Sequence, residues 1–225
     1  MSINVSESIK KHGLRLTKSL GQNFLRDGRV IQRIADAAEV NEKDLIVEIG
    51  PGVGSLTAEL ARRAGSVIAV EIDKRLIEPL GENLEGFSNV EIINDDILKL
   101  DIEKDIFNRS KKEACQENNP AKVVANLPYY ITTPIIMKFL EEADSVDSMV
   151  FMVQKEVADR MTASPGSKDY GALSVAVQYY CRPRKIFNIS PGCFIPKPDV
   201  DSTVIRLDVN KHPPVDLTDK DIFFK

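Results

Sequence analysis

A chain of 225 residues, 43% of them hydrophobic and 28% charged, has the apolar mass for a sizeable core and is too apolar for a disordered tail. No apolar run is long enough to cross a bilayer and residues 1–7 lack a signal-peptide core, so a membrane-spanning protein is excluded and a cytoplasmic location is expected. The net charge of −4, taken as a sum, argues against a nucleic-acid partner, so such a partner would have to be met by local clusters of cations.

In chain order, Asp27 stands as a cap ahead of Arg29–Ala38, where Val30, Ile31, Ile34, Ala35 and Ala38 recur at helical spacing. Leu45–Ile49 is a short apolar run meeting Gly50-Pro51-Gly52, the pattern of a buried strand that ends in a tight turn. Ser55–Ala64 follows as a helix, Ser66–Glu71 as a second strand, and Lys74–Leu84 as a helix weakened by Pro79, which removes a backbone donor. Val90–Ile93 reads as the third strand, and the polar stretch from Asp101 to Pro120 as an irregular or partly helical insertion. Lys122–Ala125 is the fourth strand, Thr133–Ala143 a helix, Ser148–Val153 the fifth strand, and Lys155–Met161 and Tyr170–Tyr180 two more helices. Lys185–Ile189 and Ser202–Val209 are β-like around a proline-rich loop, as expected for an antiparallel hairpin at a sheet edge.

Strands that alternate with helices imply right-handed crossovers and a mostly parallel sheet covered on both faces, an α/β Rossmann-like fold. In such sheets ligands sit outside the carboxyl ends of the strands, where the strand order reverses. Four features should collect there. The glycines of the Glu48–Gly54 loop let backbone approach a ligand, Glu71 can accept hydrogen bonds from two ribose hydroxyls, Asp96 can bind an adenine amino group, and Asn126 begins a motif of its own. A nicotinamide dehydrogenase would use similar parts. The spacing Gly50, Gly52, Gly54 departs from the dinucleotide fingerprint, and Glu48 precedes it. These features fit a class I methyltransferase using S-adenosylmethionine better.

The motif is Asn126-Leu127-Pro128-Tyr129, at the exit of the fourth strand. A flat exocyclic amine is a poor nucleophile because its lone pair is delocalised into the ring. The Asn126 side-chain oxygen and the Leu127 carbonyl can accept its two N–H groups in a bent geometry, Pro128 sets the turn, and Tyr129 offers a ring for the base to stack on. Methyl transfer to a nucleobase or amide nitrogen follows as the expected chemistry. Cys115, Cys181 and Cys193 have no metal-ligand spacing and read as free thiols, while His12 and His212 are expected on the solvated surface, so no histidine acid–base step and no metal are foreseen. The cations gather as Lys10, Lys11, Arg15, Lys18, Arg26, Arg29 and Arg33, and again as Arg182, Arg184 and Lys185, which permits an RNA partner.

Ser19 to Leu25, Glu48 to Gly54, Glu71-Ile72-Asp73, Asn126 to Tyr129 and Phe194 to Ser202 together closely resemble the ribosomal small-subunit rRNA adenine N6-dimethyltransferase family, in order from Leu16 to about Leu207. The resemblance implies S-adenosylmethionine as cofactor and N6 of two adjacent adenines near the 3′ end of small-subunit rRNA as target. The partner would be a pre-ribosomal particle, met by a monomer. It also implies that Asn23 and Leu25 cover the cofactor, Gly50 contacts its methionine part, Asn126 bridges cofactor and target, and Phe194 forms a second aromatic wall opposite Tyr129. On this reading residues 1–210 are the methyltransferase domain and 211–225 the start of a truncated C-terminal helical domain. Two alternatives stay open: the macrolide-resistance group, which modifies large-subunit rRNA and shares the Gln-Asn-Phe and Asn-x-Pro-Tyr elements, and a ribosome-assembly factor that only binds.

Overall fold

The computed structural model describes residues 3–14, 21–107 and 121–224. Ser19, Leu20, Cys115 and most of the polar insertion expected from Asp101 to Pro120 lie outside the described residues. Helix α1 (Val5–Lys11) and the short strand β1 (Phe24–Leu25) precede α2 (Gly28–Ala37), which Asp27 caps through its carboxylate. Then follow β2 (Leu45–Ile49), α3 (Ser55–Ala61), β3 (Ser66–Val70), α4 (Lys74–Leu84) and β4 (Val90–Ile93), and after a π-helical turn at Ile102–Phe107 comes β5 (Ala121–Asn126). The second half holds α5 (Thr132–Glu142), β6 (Val146–Gln154), α6 (Lys155–Met161), α7 (Ala172–Tyr180), β7 (Cys181–Ile189), β8 (Phe194–Ile195), β9 (Ser202–Val209) and a last turn, α8 (Lys220–Phe223).

Seven strands form one sheet in the order β4-β3-β2-β5-β6-β9-β7, parallel from β4 to β6, with β9 and β7 as the expected antiparallel hairpin. The chain runs outward from β2 to β4 and returns to β5 on the other side, so the order reverses between β2 and β5, and a crevice opens at their carboxyl ends. The two-residue period of a strand then assigns side chains to faces. Leu45, Val47 and Ile49 of β2 and Val123 and Ala125 of β5 enter the core under α5, whereas Ile46 and Val124 enter the core under α2 and α3. Glu48 and Asn126 share the parity of Ile46 and Val124, so both are directed to the α2/α3 side.

Several expectations are corrected. Helix α4 runs unbroken through Pro79, held by the Asp73 cap and by buried Leu76, Leu80 and Leu84. Strand β7 starts at Cys181, four residues early, because Pro183 is tolerated in an edge strand, where an N–H can go unpaired. His12 is not a solvated side chain: its ring is 12% exposed and bonds the Ser8 carbonyl and the Glu82 carboxylate. Of the second basic cluster, Arg184 pairs with Asp208 and Lys185 with Asp159. Both described cysteines are free thiols, and among the described residues no helix is long and apolar enough to cross a membrane.

Candidate active site

A cleft with a cavity volume of about 90 Å³, partly open to solvent, lies at the carboxyl ends of β2, β3 and β5. One end is walled by Gly50, Gly52, Glu71 and Asp96, and the other by Asn126, Leu127, Pro128 and Tyr129, with Asn23 between them, so eight of the ten expected site residues meet in one cavity. Leu25 faces the adjoining smaller hollow instead, together with Glu48, Ser55 and Asn126. Phe194 is not brought to the cleft. It is 3% exposed and packs in the core beside Leu25, its partner across the β1–β8 pair. Through the β1–β8 pair it holds β1 in register just after Asn23. Phe194→Ala is expected to cost about 3–5 kcal/mol in stability, whereas Phe194→Leu should keep methyl transfer within severalfold. Loss of turnover in a well-folded Leu variant would restore the aromatic-wall reading.

The turn after β2 needs glycine at Gly52 for two reasons. Its φ is +63°, and a Cβ there would sit 2.6 Å from the Phe24 ring. The same residue donates its N–H to Glu71 Oε2 at 3.1 Å, while the Asp73 N–H donates to Oε1 at 2.9 Å. Glu71 is thereby aimed along the cleft floor, with burial raising its carboxyl above the ordinary range. Asp73, which caps α4, also receives Gln22 Nε2 at 2.8 Å and so ties the N-terminal loop across the cleft. Asp96 lines the cleft and accepts the Leu98 N–H at 3.0 Å through Oδ1, capping its own turn. Its place beside Ile97 and Ile72 suits a flat apolar ring with an amino edge.

At the tip of β5, Asn126 donates Nδ2–H to the Asn23 carbonyl at 2.8 Å. That bond fixes the amide, and neither its Oδ1 nor the Leu127 carbonyl accepts a hydrogen bond among the described residues. The Leu127 N–H is held by the Met152 carbonyl at 3.3 Å, and its side chain is buried in the core, so the carbonyl is set by rigid sheet. Tyr129 is tethered through its hydroxyl to Ser202 Oγ at 2.9 Å. The outcome is two fixed acceptors and an anchored ring at the end of a cleft that also carries the carboxyl groups of Glu71, Asp95 and Asp96.

Glu48 is the costly element. It is 2% exposed in a strand buried on both faces, and Oε2, like Ser55 Oγ and Thr57 Oγ1 nearby, lacks a hydrogen-bond partner among the described residues. Burial pushes its carboxyl up to about 8, the Thr57 hydroxyl beside it, outside hydrogen-bond geometry, pulls the other way, and the Glu71 charge adds to the rise. A folded-state value above the ordinary 4.5 means that the native state holds this proton after the unfolded chain has released it, so stability falls as pH rises from about 4.5 to about 8. Glu48→Gln should therefore match the parent near pH 5 and be the more stable at pH 8. Thermal denaturation without cofactor reads this, and an equal difference at both pH values would refute it.

These parts recur in known proteins. The family model described as ribosomal RNA adenine dimethylase matches residues 13–225. The chain belongs to that family. A relative named ribosomal RNA small subunit methyltransferase A, from Alkaliphilus oremlandii, is 55% identical over 218 residues, 97% of this chain and 74% of the relative. Among solved structures, a dimethyladenosine transferase from Plasmodium falciparum is 30% identical with a TM-score of 0.71 over 84% of this chain and 64% of its own. The 23S rRNA methyltransferase ErmE is 31% identical with a TM-score of 0.74, over 90% and 76%. The family is dependent on S-adenosylmethionine, and the fold is that of the class I methyltransferases. The cleft fits that cofactor: a Cβ on Gly50 would meet nothing within 4 Å, which leaves the cradle open, and the carboxyl of Glu71 on the cleft wall suits the hydroxyls of a ribose.

Sequence reading missed Gln22 and Ser202 as supports and Ile72 and Ile97 as walls of the cleft. Ser202 ends the quoted Phe194–Ser202 motif and could have been found there. Gln22 lies in the quoted Ser19–Leu25 motif, but its support of Asp73 shows only in the 2.8 Å bond between them.

Proposed function

We propose that this chain is a small-subunit rRNA adenine N6-dimethyltransferase, that residues 1–210 form its methyltransferase domain, and that its targets are two adjacent adenines in a pre-ribosomal particle. One observation carries the reading: Asn126 and Leu127, whose Oδ1 and carbonyl accept no hydrogen bond among the described residues, line the same cleft as Glu71 and Asp96. Glu71 would hold the ribose hydroxyls of S-adenosylmethionine, Asp96 its adenine amino group, Gly50 and Asn23 its methionine end. The cofactor supplies an electrophilic methyl on a sulfonium. The chain supplies alignment.

Asn126 Oδ1 and the Leu127 carbonyl accept the two N–H groups of the target amine, which draws the nitrogen toward a tetrahedral shape and frees its lone pair. Tyr129, held by Ser202, stacks on the unstacked base. No dedicated base is needed, since the methylated ammonium loses its proton readily to solvent. Binding a base outside its helix favours exposed loops of a structured particle over duplex.

The test is methyl incorporation from labelled S-adenosylmethionine into unmethylated small and large subunits, with mass spectrometry of the product. Dimethyladenine in small-subunit rRNA is expected. Label confined to the large subunit would give the macrolide-resistance reading its place.

A further inference from the structure

We propose that Tyr130, beside the target-binding Tyr129, is a second stacking platform that receives a nucleotide flanking the methylated adenine. The inference rests on the reading of the cleft as an adenine pocket and adds a determinant of RNA positioning to it.

Tyr130 is 55% exposed, yet its ring belongs to the cleft wall. Tyr129, Tyr130 and Ile131 form a single 3₁₀ turn, in which successive side chains diverge by about 120°. Two neighbours on such a turn cannot lay their rings on one base. Tyr129 is turned inward and locked through Ser202, so Tyr130 presents its ring elsewhere, on the rim.

One side of the ring is covered by Gly21. A Cβ built on Gly21 would lie 3.4 Å from both the Tyr130 ring and Pro128 Cβ, so the bare glycine backbone lets the N-terminal loop press on one side of the ring. The Tyr130 hydroxyl makes no hydrogen bond among the described residues, so the phenol serves no internal tether. What remains is an exposed aromatic, backed on one side by Gly21, at the mouth of a cleft read as base-receiving. An RNA strand whose one base is drawn inward must carry its neighbours across that mouth. Stacking of a base on such a ring tolerates any base and contributes enough to govern affinity.

The experiment compares Tyr130→Ala, Tyr130→Leu and Tyr130→Phe by steady-state methylation of unmethylated small subunits, with the S-adenosylmethionine dissociation constant and Tm measured in parallel. Loss of the ring is expected to raise KM for the subunit by about 5- to 150-fold in the Ala and Leu variants. In both, kcat should change far less than KM, and cofactor affinity and Tm should stay near the parent's. Tyr130→Phe, which keeps the ring, should restore the parent KM. An unchanged KM in Tyr130→Ala, full rescue by the apolar but ringless Leu, or cofactor affinity falling in step with KM would each overturn the proposal, the last making Tyr130 a cofactor cover. A parent protein that methylates small subunits beside an unaffected Tyr130→Ala sinks this inference alone. A parent that leaves them unmethylated sinks the adenine reading together with it.

Discussion

Asn126→Ala is expected to lower the single-turnover rate of methyl transfer by about 10²- to 10³-fold, the loss seen when a fixed polar partner of a developing charge is removed. The substitution deletes the oxygen that reshapes the amine, while the Leu127 carbonyl remains. It also deletes the 2.8 Å bond to the Asn23 carbonyl, a loss of about 1 kcal/mol in stability. Folding should therefore survive, with Tm lowered by a few degrees at most. Rates taken at saturating cofactor separate chemistry from a looser N-terminal loop. A variant that still transfers methyl within tenfold of the parent would remove Asn126 from the catalytic step. A variant without activity that supports small-subunit assembly as well as the parent would show that binding is the main task.

Gly52→Val is expected to weaken cofactor binding by about 100-fold or more, because one residue carries three requirements at once. Its φ of +63° strains any L side chain, by about 1–2 kcal/mol for an ordinary residue and more for a β-branched one. The Phe24 ring stands 2.6 Å from the position of the new Cβ and is itself buried against Val53 and Leu76. Any shift of this turn also breaks the 3.1 Å bond that aims Glu71. Gly50→Ala shares the positive φ but meets open space, so it should fold better and show its defect in the cleft. Removing the ring in a Gly52→Ala, Phe24→Ala pair should recover part of the binding lost in Gly52→Ala alone, leaving the backbone strain. Calorimetry with S-adenosylmethionine decides this, and parental affinity in Gly52→Val would contradict the account.

Much of this molecule was legible because its inner strands are buried on both faces. Leu45–Ile49 and Ser66–Val70 are near-continuous apolar runs, so their ends, and the Gly50 turn and Glu71 that follow, could be located without coordinates. The exit of β5 was legible for the same reason, and Asn126 to Tyr129 follows it directly. Helix α1 was not foreseen. It is seven residues long and is held by an Asn4 cap and by Val5, whose partners Phe24, Val53 and Leu76 come from elsewhere in the chain. The basic edge strand β7 extended beyond its expected start because its backbone pairs with β9, whatever its own side chains prefer.

The linear order of residues by itself determined the type of each inner element and the chemistry that Glu71, Asp96 and Asn126 can perform, since periodicity and functional groups are properties of the chain alone. Only the tertiary structure decided that Phe194 stays in the core while Tyr130 reaches the rim, and that the Asn126 amide is fixed by the Asn23 carbonyl. Those outcomes depend on which distant segments pack together, and a side chain's final neighbours are set by that packing and not by its own identity.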